Sequence, residues 1–470
     1  MSVGTSLAGN GAWRTPGWLR LAPLLAALVV IAVQTVRPVD DPDTWWHLRT
    51  GRELVKDLVF VGPDPWSPFT TGEWIRHEWL GDLLIWSVHS AADLAGVSWL
   101  VAAFSVVATT TTYFVCRRHA PVLVSAAVSV VAFVGMSMSL TARPQSLSFA
   151  FTVLAAGAWL STSQDRRPRW WLVPLTWLWA CVHGFWIVAP VLGGVVVVAL
   201  LLERAPWREV LRLAALPVGC GVAAALTPVG PRLLLAPFQI SPVTGYVEEW
   251  DPPTVGMPAF VATALMAACI ALLRTVRATP TWTEVGMLLS AVFLLIIHGR
   301  TVALAAAVLA PLLAAALTHH LPLGRERLRP SEILATAAAA VVGLVVAGVA
   351  AVAQPMASEG FPTALSAELD ELPRGTVVCN DYYTGGWLWF THPTLVPVID
   401  GRTELYGPAE LDAYVRFMAG GAGTIDRATR RDCDAALVET GSPPASTLAA
   451  DGWAVVSADG WSLLTAQPQR

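Results

Sequence analysis

Long apolar runs, separated by short polar segments, fill the first three quarters of the chain. Runs of this length predict helices that cross a hydrocarbon core of about 30 Å. There are about eleven of them, over residues 21–36, 96–115, 121–138, 144–162, 169–183, 185–202, 209–226, 258–274, 281–297, 301–318 and 331–353. The pattern therefore predicts a polytopic α-helical membrane protein.

The segment between the first two runs, residues 37–95, is long and polar, whereas typical connections take about 2–8 residues. Thr44–Lys56 predicts a short helix, with Asp43 or Thr44 as its N-cap. Trp79–Ala92 predicts a second helix along the membrane surface, because it has an apolar side and a polar side. The polar side carries Glu78, Asp82, His89 and Asp93. Between the two helices, Pro and Gly predict turns.

After residue 353 the apolar runs give way to short alternating segments. GTVVCND, TLVPVID and DAALVE are typical of buried strands, LDAYVRFMA of a helix, and GWAVVSA with WSLLTA of a closing strand pair. The chain therefore divides into a transmembrane domain, residues 1–353, and a small α/β domain, residues 354–470. Cys379 and Cys433 each adjoin a predicted strand there, as either a disulfide or two buried thiols.

Composition supports the membrane class and excludes others. Hydrophobic residues make up 55% of the chain and charged residues 14%, which excludes a soluble protein. The net charge of −4 excludes a nucleic-acid partner, whose binding surface would be a basic face or stripe. Nearly all the positive charge is arginine and the chain is rich in Ala and Val, which is typical of a GC-rich bacterial genome.

Arginine clusters predict which loops face the cytoplasm. By the positive-inside rule these are Arg117–Arg118, Arg166–Arg169, Arg204–Arg212, Arg274–Arg277 and Arg325–Arg329. They agree with the predicted spans if Trp79–Ala92 does not cross the membrane. The first run lacks an A-x-A-like cleavage pattern after it, so it predicts a retained span. We therefore expect a bacterial plasma-membrane protein with a cytoplasmic N-terminus and an extracytoplasmic C-terminus.

In that orientation, ionisable residues gather on the outer side: Asp40, Asp41, Asp43, His47, His77, Glu78, Arg143, His183, His298 and Arg300. Ionisable groups at helix ends in a membrane are costly unless they face a cavity or each other, so this gathering predicts a functional site. Each residue type also has a purely structural interpretation. The acidic residues can be a solvated loop, the histidines packing groups that hydrogen-bond across helices, and the arginines headgroup anchors.

Several motifs resemble those of a known family. DPDTWWHLRTG with HEWL, then ARPQSLSF, VHGFW and TPVGPRLL, and finally CNDYYTGGWLWF and VIDGRTELYG resemble a bacterial branch of the GT-C class of membrane glycosyltransferases. The resemblance implies transfer of a sugar from a polyprenyl-phosphate-linked donor, on the extracytoplasmic face. It leaves open whether the envelope acceptor is a glycan, a lipid or a protein. It also implies an external C-terminal domain.

The resemblance assigns roles to the gathered residues. It implies that Asp41 or Asp43, with Asp40 as a substitute, is the base toward the acceptor hydroxyl. It implies a divalent metal, Mg²⁺ or Mn²⁺, on Asp41 and Asp43. The groups that would stabilise the departing phosphate are Arg143, Arg300, His183 and His298. The groups that would bind substrate beside the acidic pair, or support the metal, are His47, His77 and Glu78.

The competing hypothesis is a non-catalytic GT-C-like scaffold or a transporter in cell-envelope biogenesis. A transporter should carry charges near the bilayer midplane and show related halves, whereas the charges here cluster at one face. A scaffold would share every feature above. The C-terminal domain can either grip an acceptor through NDYYTGGW and DGRTELYG or cap the site.

Overall fold

The computed structural model describes residues 17–236, 245–246, 250–277, 279–320, 327–353, 360–430 and 433–466. Up to residue 353 the described chain is mostly helical. The helices are α1 (Gly17–Gln34), α2 (Asp43–Asp57), α3 (Trp79–Arg117), α4 (Val122–Met136), α5 (Gln145–Asp165), α6 (Leu172–Val182), α7 (Val188–Leu202), α8 (Trp207–Ala225), α9 (Pro258–Arg277), α10 (Trp282–Ile297), α11 (Val302–His320) and α12 (Pro330–Ala353). Each apolar run predicted from the sequence overlaps one of them.

Seven helical segments of the described residues are long and apolar enough to cross a membrane, judged by length and composition. They are Trp79–Arg117, Val122–Ser139, Gln145–Asp165, Gly184–Leu202, Pro258–Val276, Gly299–His320 and Pro330–Ala353. Arg20–Gln34, α6 and α10 are shorter apolar helices. The architecture is that of a multi-pass membrane protein, and the count of about eleven spans stays a prediction.

Helix α3 contains a kink at Ala92 and Asp93, where the backbone leaves the helical conformation. Asp93 has φ 51°, a left-handed value that Asp tolerates better than most residues. Gly96 lies just after the kink. Glycine avoids a clash at this position, since a Cβ there would lie 2.8 Å from the Val88 carbonyl oxygen. The kink falls between the predicted surface helix and the predicted span after it.

At Asp82, the polar side of the first part of α3 packs against α2. Asp82 is 1% exposed, and its Oδ1 lies 2.6 Å from His47 Nδ1. Gly51 of α2 allows this close approach, since a Cβ there would lie 2.3 Å from the Asp82 carbonyl oxygen. Asp82, on the predicted polar side, is therefore part of a buried helix–helix contact, and the position of this helix along the membrane surface stays a prediction. On the apolar side, Leu84 is exposed.

At the other end of α3, Arg117 forms a buried ion pair with the start of α12. Its Nε lies 2.6 Å from Glu332 Oε1, which also accepts the Tyr113 hydroxyl at 2.6 Å. Of the predicted cytoplasmic pair, Arg117 thus joins two helices while Arg118 is exposed. Arg325, in another of the predicted clusters, lies outside the described residues.

The connection between α2 and α3 contains two short antiparallel strands, β1 (Val61–Pro63) and β2 (Glu73–Ile75). The sequence predicted only turns in this stretch, because three-residue strands give too little alternation to recognise. The backbone continues the pairing beyond β2, since the Arg76 N–H donates to the Phe60 carbonyl at 2.9 Å. The connection is thus an ordered part of the surface that faces the C-terminal residues.

The C-terminal residues form a small domain around a five-stranded mixed sheet of order β4-β3-β5-β7-β6. Its strands are β3 (Val377–Asn380), β4 (Val396–Pro397), β5 (Ala435–Glu439), β6 (Ala454–Ala458) and β7 (Trp461–Thr465). Its helices are α13 (Ser366–Asp370), α14 (Tyr382–Thr391), α15 (Pro408–Met418), α16 (Ala422–Arg430) and α17 (Pro443–Ala450). The proposed boundary at residue 354 lies outside the described residues.

One segment of this domain differs from the prediction. TLVPVID forms only the short edge strand Val396–Pro397, where the N–H groups of Val396 and Val398 donate to the Thr376 and Val378 carbonyl oxygens at 2.9 and 3.1 Å. Asn380 Oδ1 also accepts the Val398 N–H, at 2.9 Å. The motif NDYYTGGWLWF forms α14, and the Asp381 side chain caps that helix by accepting the Tyr383 N–H at 2.8 Å.

Cys379 in β3 and Cys433 just before β5 are joined by a disulfide in the structure, with Cα atoms 5.7 Å apart. Strands β3 and β5 are parallel neighbours. The bond therefore links β3 to the residues just before its neighbour β5.

The C-terminal domain packs directly on α2. Trp45 contacts Phe361 with ring centroids 5.3 Å apart. Arg49 Nη1 donates to the Trp389 carbonyl of α14 at 2.9 Å, and the Tyr383 hydroxyl donates to the Asp40 carbonyl. These contacts place the domain over the start of α2, next to the acidic pair.

Candidate functional site

The acidic pair lies at the start of α2. This helix begins at Asp43 with Pro42 as its N-cap, so the predicted N-cap at Asp43 or Thr44 is wrong. Asp41 Oδ1 accepts the Asp43 N–H at 3.0 Å, which satisfies a backbone donor of the first turn. Arg143, just before α5, contacts both carboxylates: its Nε is 2.6 Å from Asp41 Oδ1, and its Nη1 is 3.0 Å from Asp43 Oδ2. The three side chains form one ion cluster.

Glu78 lies among three histidines. Its Oε1 is 3.2 Å from Nε2 of both His77 and His183, and its Oε2 is 3.6 Å from His47 Nε2. His183 Nδ1 accepts a backbone N–H at 3.1 Å, so its Nε2–H donates to the carboxylate. His77 meets acceptors at both nitrogens, since its Nδ1 is 3.1 Å from a backbone carbonyl oxygen. It therefore donates twice, as an imidazolium.

The pKa values follow from this arrangement. Burial alone would raise the pKa of Glu78, but the surrounding histidines, His183 first, hold it well below its ordinary value. Burial opposes the charged form of His77, but the hydrogen bond and charge of Glu78 outweigh it and raise the His77 pKa. Burial lowers the pKa of His47 to about 3, against the attraction of Glu78. The Glu78 carboxylate thus faces His77, whose charged form it favours, and a His47 that is neutral at neutral pH.

Arg300 and His298 lie next to the start of α11. Arg300 is in the 3₁₀ turn Gly299–Thr301 directly before this helix, and its Nη2 donates to Gln145 Oε1 at 3.1 Å. Its guanidinium also stacks 4.9 Å from the Trp250 ring centroid. The His298 Nδ1–H donates to the Trp250 carbonyl. A guanidinium beside a helix N-terminus gives a favourable position for an anion.

These groups meet in one cavity of about 430 Å³. Eight of the nine site residues predicted from the sequence line it: Asp43, His47, His77, Glu78, Arg143, His183, His298 and Arg300. Asp41 does not line the cavity. It contacts Arg143, which does, and it lies directly before the start of α2. The apolar part of the lining consists of Phe185, Trp186, Ile187, Leu233, Ala236 and Trp250. The cavity therefore combines charged groups with an apolar wall.

The C-terminal domain completes the cavity with Tyr382 of NDYYTGGW and with Gly401, Thr403 and Glu404 of DGRTELYG, the two motifs that the sequence analysis names for acceptor binding. Gly401 lies directly against the acidic pair, since a Cβ there would lie 1.9 Å from Asp43 Oδ1. Burial raises the pKa of Glu404, and the nearby Glu78 carboxylate adds to that effect. The domain is thus part of the wall and supplies a further carboxyl group.

A buried ion cluster holds this wall segment in place. Arg402, Asp400 and Asp64 have fully buried side chains; Arg402 Nη2 is 2.6 Å from Asp400 Oδ2, and Nη1 is 3.0 Å from Asp64 Oδ1. The Arg402 guanidinium also lies 4.2 Å from the Trp66 ring centroid and 4.5 Å from that of Trp74. Asp64 and both tryptophans belong to the connection between α2 and α3. The cluster therefore fixes DGRTELYG against the first loop.

The predicted metal does not fit the acidic pair as it stands. A divalent cation takes several oxygen ligands at close range, whereas Asp41 Oδ1 and Asp43 Oδ2 both contact Arg143. Over the ranges that the structure describes, no group of three or more His, Cys, Asp or Glu side chains is placed to hold a metal ion.

No family model and no curated protein matches the sequence. Solved structures do match. Archaeal oligosaccharyltransferase AglB from Archaeoglobus fulgidus, in complex with an inhibitory peptide and a dolichol-phosphate, aligns with a TM-score of 0.57 at 12% identity, over 91% of this chain and 70% of that chain. The Archaeoglobus fulgidus oligosaccharyltransferase tethered to an acceptor peptide aligns with a TM-score of 0.55 at 12% identity, over 96% and 74%.

A third structure, the Archaeoglobus fulgidus oligosaccharyltransferase in complex with Zn and sulfate, aligns with a TM-score of 0.53 at 12% identity, over 88% of this chain and 68% of that chain. Identity at this level shows the fold alone. The fold is similar to that of these oligosaccharyltransferase structures, with a multi-pass helical part and a small C-terminal mixed-sheet domain.

Proposed function

We propose that this protein transfers a sugar from a polyprenyl-phosphate-linked donor to an acceptor hydroxyl in the cell envelope, on the extracytoplasmic face of a bacterial plasma membrane. The observation that carries the proposal is the single cavity in which Arg143, Arg300, Asp43 and Glu78 meet beside an apolar wall. The proposed reaction needs a positively charged site for the donor phosphate, a base for the acceptor hydroxyl and an apolar surface for the lipid chain.

The group that binds the donor phosphate in this proposal is Arg300. Arg300 lies directly before α11, where the helix dipole adds to its charge. Arginine suits this role because its planar fork can donate two hydrogen bonds to one phosphate. As the glycosidic bond to phosphate breaks, negative charge grows on the leaving oxygen, and a fixed guanidinium stabilises it. Phe185, Ile187 and Leu233 give the first isoprene units an apolar surface.

Asp43 is the residue that accepts the proton of the acceptor hydroxyl in this proposal. Both aspartates contact Arg143, but Asp43 lines the cavity and Asp41 does not. The Asp41 carboxylate instead accepts the Asp43 N–H and so positions the start of α2. General base catalysis of this kind requires the carboxylate to reach the proton directly or through one water. Asp43 therefore takes the proton while Asp41 and Arg143 hold it in place.

The comparison with AglB supports a lipid-linked donor, since the aligned AglB structure contains a dolichol-phosphate. It does not extend to the acceptor of this protein, which can be a glycan, a lipid or a protein. The C-terminal domain contributes Gly401, Thr403 and Glu404 to the cavity wall, so the acceptor must be a molecule that reaches these residues. Carboxyl and hydroxyl groups at that wall suit hydrogen bonds to a sugar hydroxyl.

The test is to delete the gene in its own host and analyse the envelope by mass spectrometry. We expect one polyprenyl-phosphate-linked sugar to accumulate and one glycan linkage to disappear, because transfer consumes the first to make the second. Expression of the wild-type protein should reverse both changes. Unchanged lipid-linked sugars and unchanged glycans in the deletion strain would contradict the proposal.

A further inference from the structure

Arg143 lies between the two carboxylates of the acidic pair with little access to solvent. Arg143 and Asp41 are 6% and 7% exposed. Nε and Nη1 are on different sides of the guanidinium carbon, so one planar group contacts Asp41 at 2.6 Å and Asp43 at 3.0 Å. Charged hydrogen bonds of this geometry are among the stronger polar contacts in proteins.

The backbone on both sides of Arg143 holds it in this position. The Thr44 hydroxyl donates to the Ala142 carbonyl at 3.3 Å, which joins α2 to the segment before α5. The Ser146 hydroxyl donates to the Thr141 carbonyl at 2.7 Å and accepts the Thr141 N–H at 3.1 Å. The segment is therefore closed on itself and fixed to the helix that carries Asp43. The arginine does not reach the acidic pair from a loose loop.

A divalent cation at the acidic pair would have to compete with this guanidinium. If Arg143 stayed, two further positive charges would lie a few ångströms from it in a poorly solvated place, which is unfavourable. If Arg143 left, a buried guanidinium would lose its carboxylate partners, which is also costly. Both routes weaken metal binding at Asp41 and Asp43.

We infer that Arg143 is the built-in cation of the acidic pair, in the place where a divalent metal would otherwise bind. Its guanidinium neutralises Asp41 and Asp43, sets the direction of the Asp43 carboxylate, and makes the pair independent of metal. In this role Arg143 is a positioning residue for Asp43. This charge balance of the site does not depend on whether sugar transfer is the reaction.

The test measures Mn²⁺ binding by electron paramagnetic resonance. The sample is the full-length protein in detergent, treated beforehand with EDTA. The wild type and the double variant Asp41→Asn/Asp43→Asn should bind equally little Mn²⁺. Arg143→Ala should bind one Mn²⁺ with affinity raised roughly tenfold or more, because two carboxylates become available as ligands. The triple variant, Arg143→Ala with both Asp→Asn changes, should lose this gain.

Two outcomes would overturn the inference. One is a wild-type Mn²⁺ site that the double variant loses, since the pair would then hold a metal beside Arg143. The other is an Arg143→Ala protein that binds no more Mn²⁺ than the wild type. If Arg143→Ala fails to fold, as judged by size-exclusion chromatography, the comparison of wild type with double variant still decides. Arg143→Lys, which keeps the charge, should remain as poor a Mn²⁺ binder as the wild type.

Discussion

Asp43→Asn is expected to reduce the glycan product in the complemented deletion strain by about 10²–10⁴-fold, the usual contribution of a general base. Asparagine keeps the size of the side chain but cannot accept the proton of the acceptor hydroxyl. It also removes one of the two carboxylates that Arg143 contacts. Mass spectrometry of the envelope glycan, normalised to the amount of membrane-inserted protein, measures the effect.

Asp40→Asn is the matched control. Asp40 is an exposed neighbour in the same acidic run, and its backbone carbonyl, which the substitution keeps, accepts the Tyr383 hydroxyl. The Asp40→Asn strain should therefore make the normal amount of product. Full product from Asp43→Asn would exclude this residue as the base and make Glu78, in the same cavity, the next carboxylate to test.

Arg402→Leu is expected to destabilise the protein by about 3–5 kcal/mol, because it leaves two buried carboxylates without their cation. Asp400 and Asp64 would both lose an ion pair within 3.0 Å. The segment that carries Gly401 and Glu404 would lose its attachment to the first loop, so glycan production should fall as well. Thermal unfolding of the purified protein, followed by tryptophan fluorescence, measures the first effect.

The same substitution at Arg416 is the control for Arg402→Leu. Arg416 is an exposed residue of α15 in the same domain, and surface changes usually alter stability by less than about 0.5 kcal/mol. Arg416→Leu should unfold at the wild-type temperature. If Arg402→Leu unfolds at that temperature too, the buried cluster does not hold the cavity wall in place.

The sequence predicted the helices because long apolar runs are a strong and local signal. It also predicted all the acidic, arginine and histidine residues of the cavity except Glu404, for a simple geometric reason. Arg143, His183, His298 and Arg300 all lie at helix ends, and helices that cross a membrane bring alternate ends to the same side. Counting the spans was therefore enough to predict that residues far apart in the chain lie on the same side.

Contacts between distant loops could not be predicted in this way. Arg402 and Asp64 are separated by 338 positions, and neither lies in a periodic pattern that would identify a partner. The pairing of Arg143 with Asp41 has no local sequence signal either, because the two residues are 102 positions apart. TLVPVID has the composition of a strand, but only Val396 and Pro397 of it are paired with β3.

The measurement that tests the central claim most directly is transfer by the purified protein. The donor is the polyprenyl-phosphate-linked sugar fraction extracted from the deletion strain, and the acceptor is the envelope fraction of the same strain. We predict that the wild-type protein consumes the donor, releases polyprenyl phosphate and restores the missing glycan linkage, while Asp43→Asn does none of these. Equal donor levels with wild type, Asp43→Asn and no protein would contradict the account.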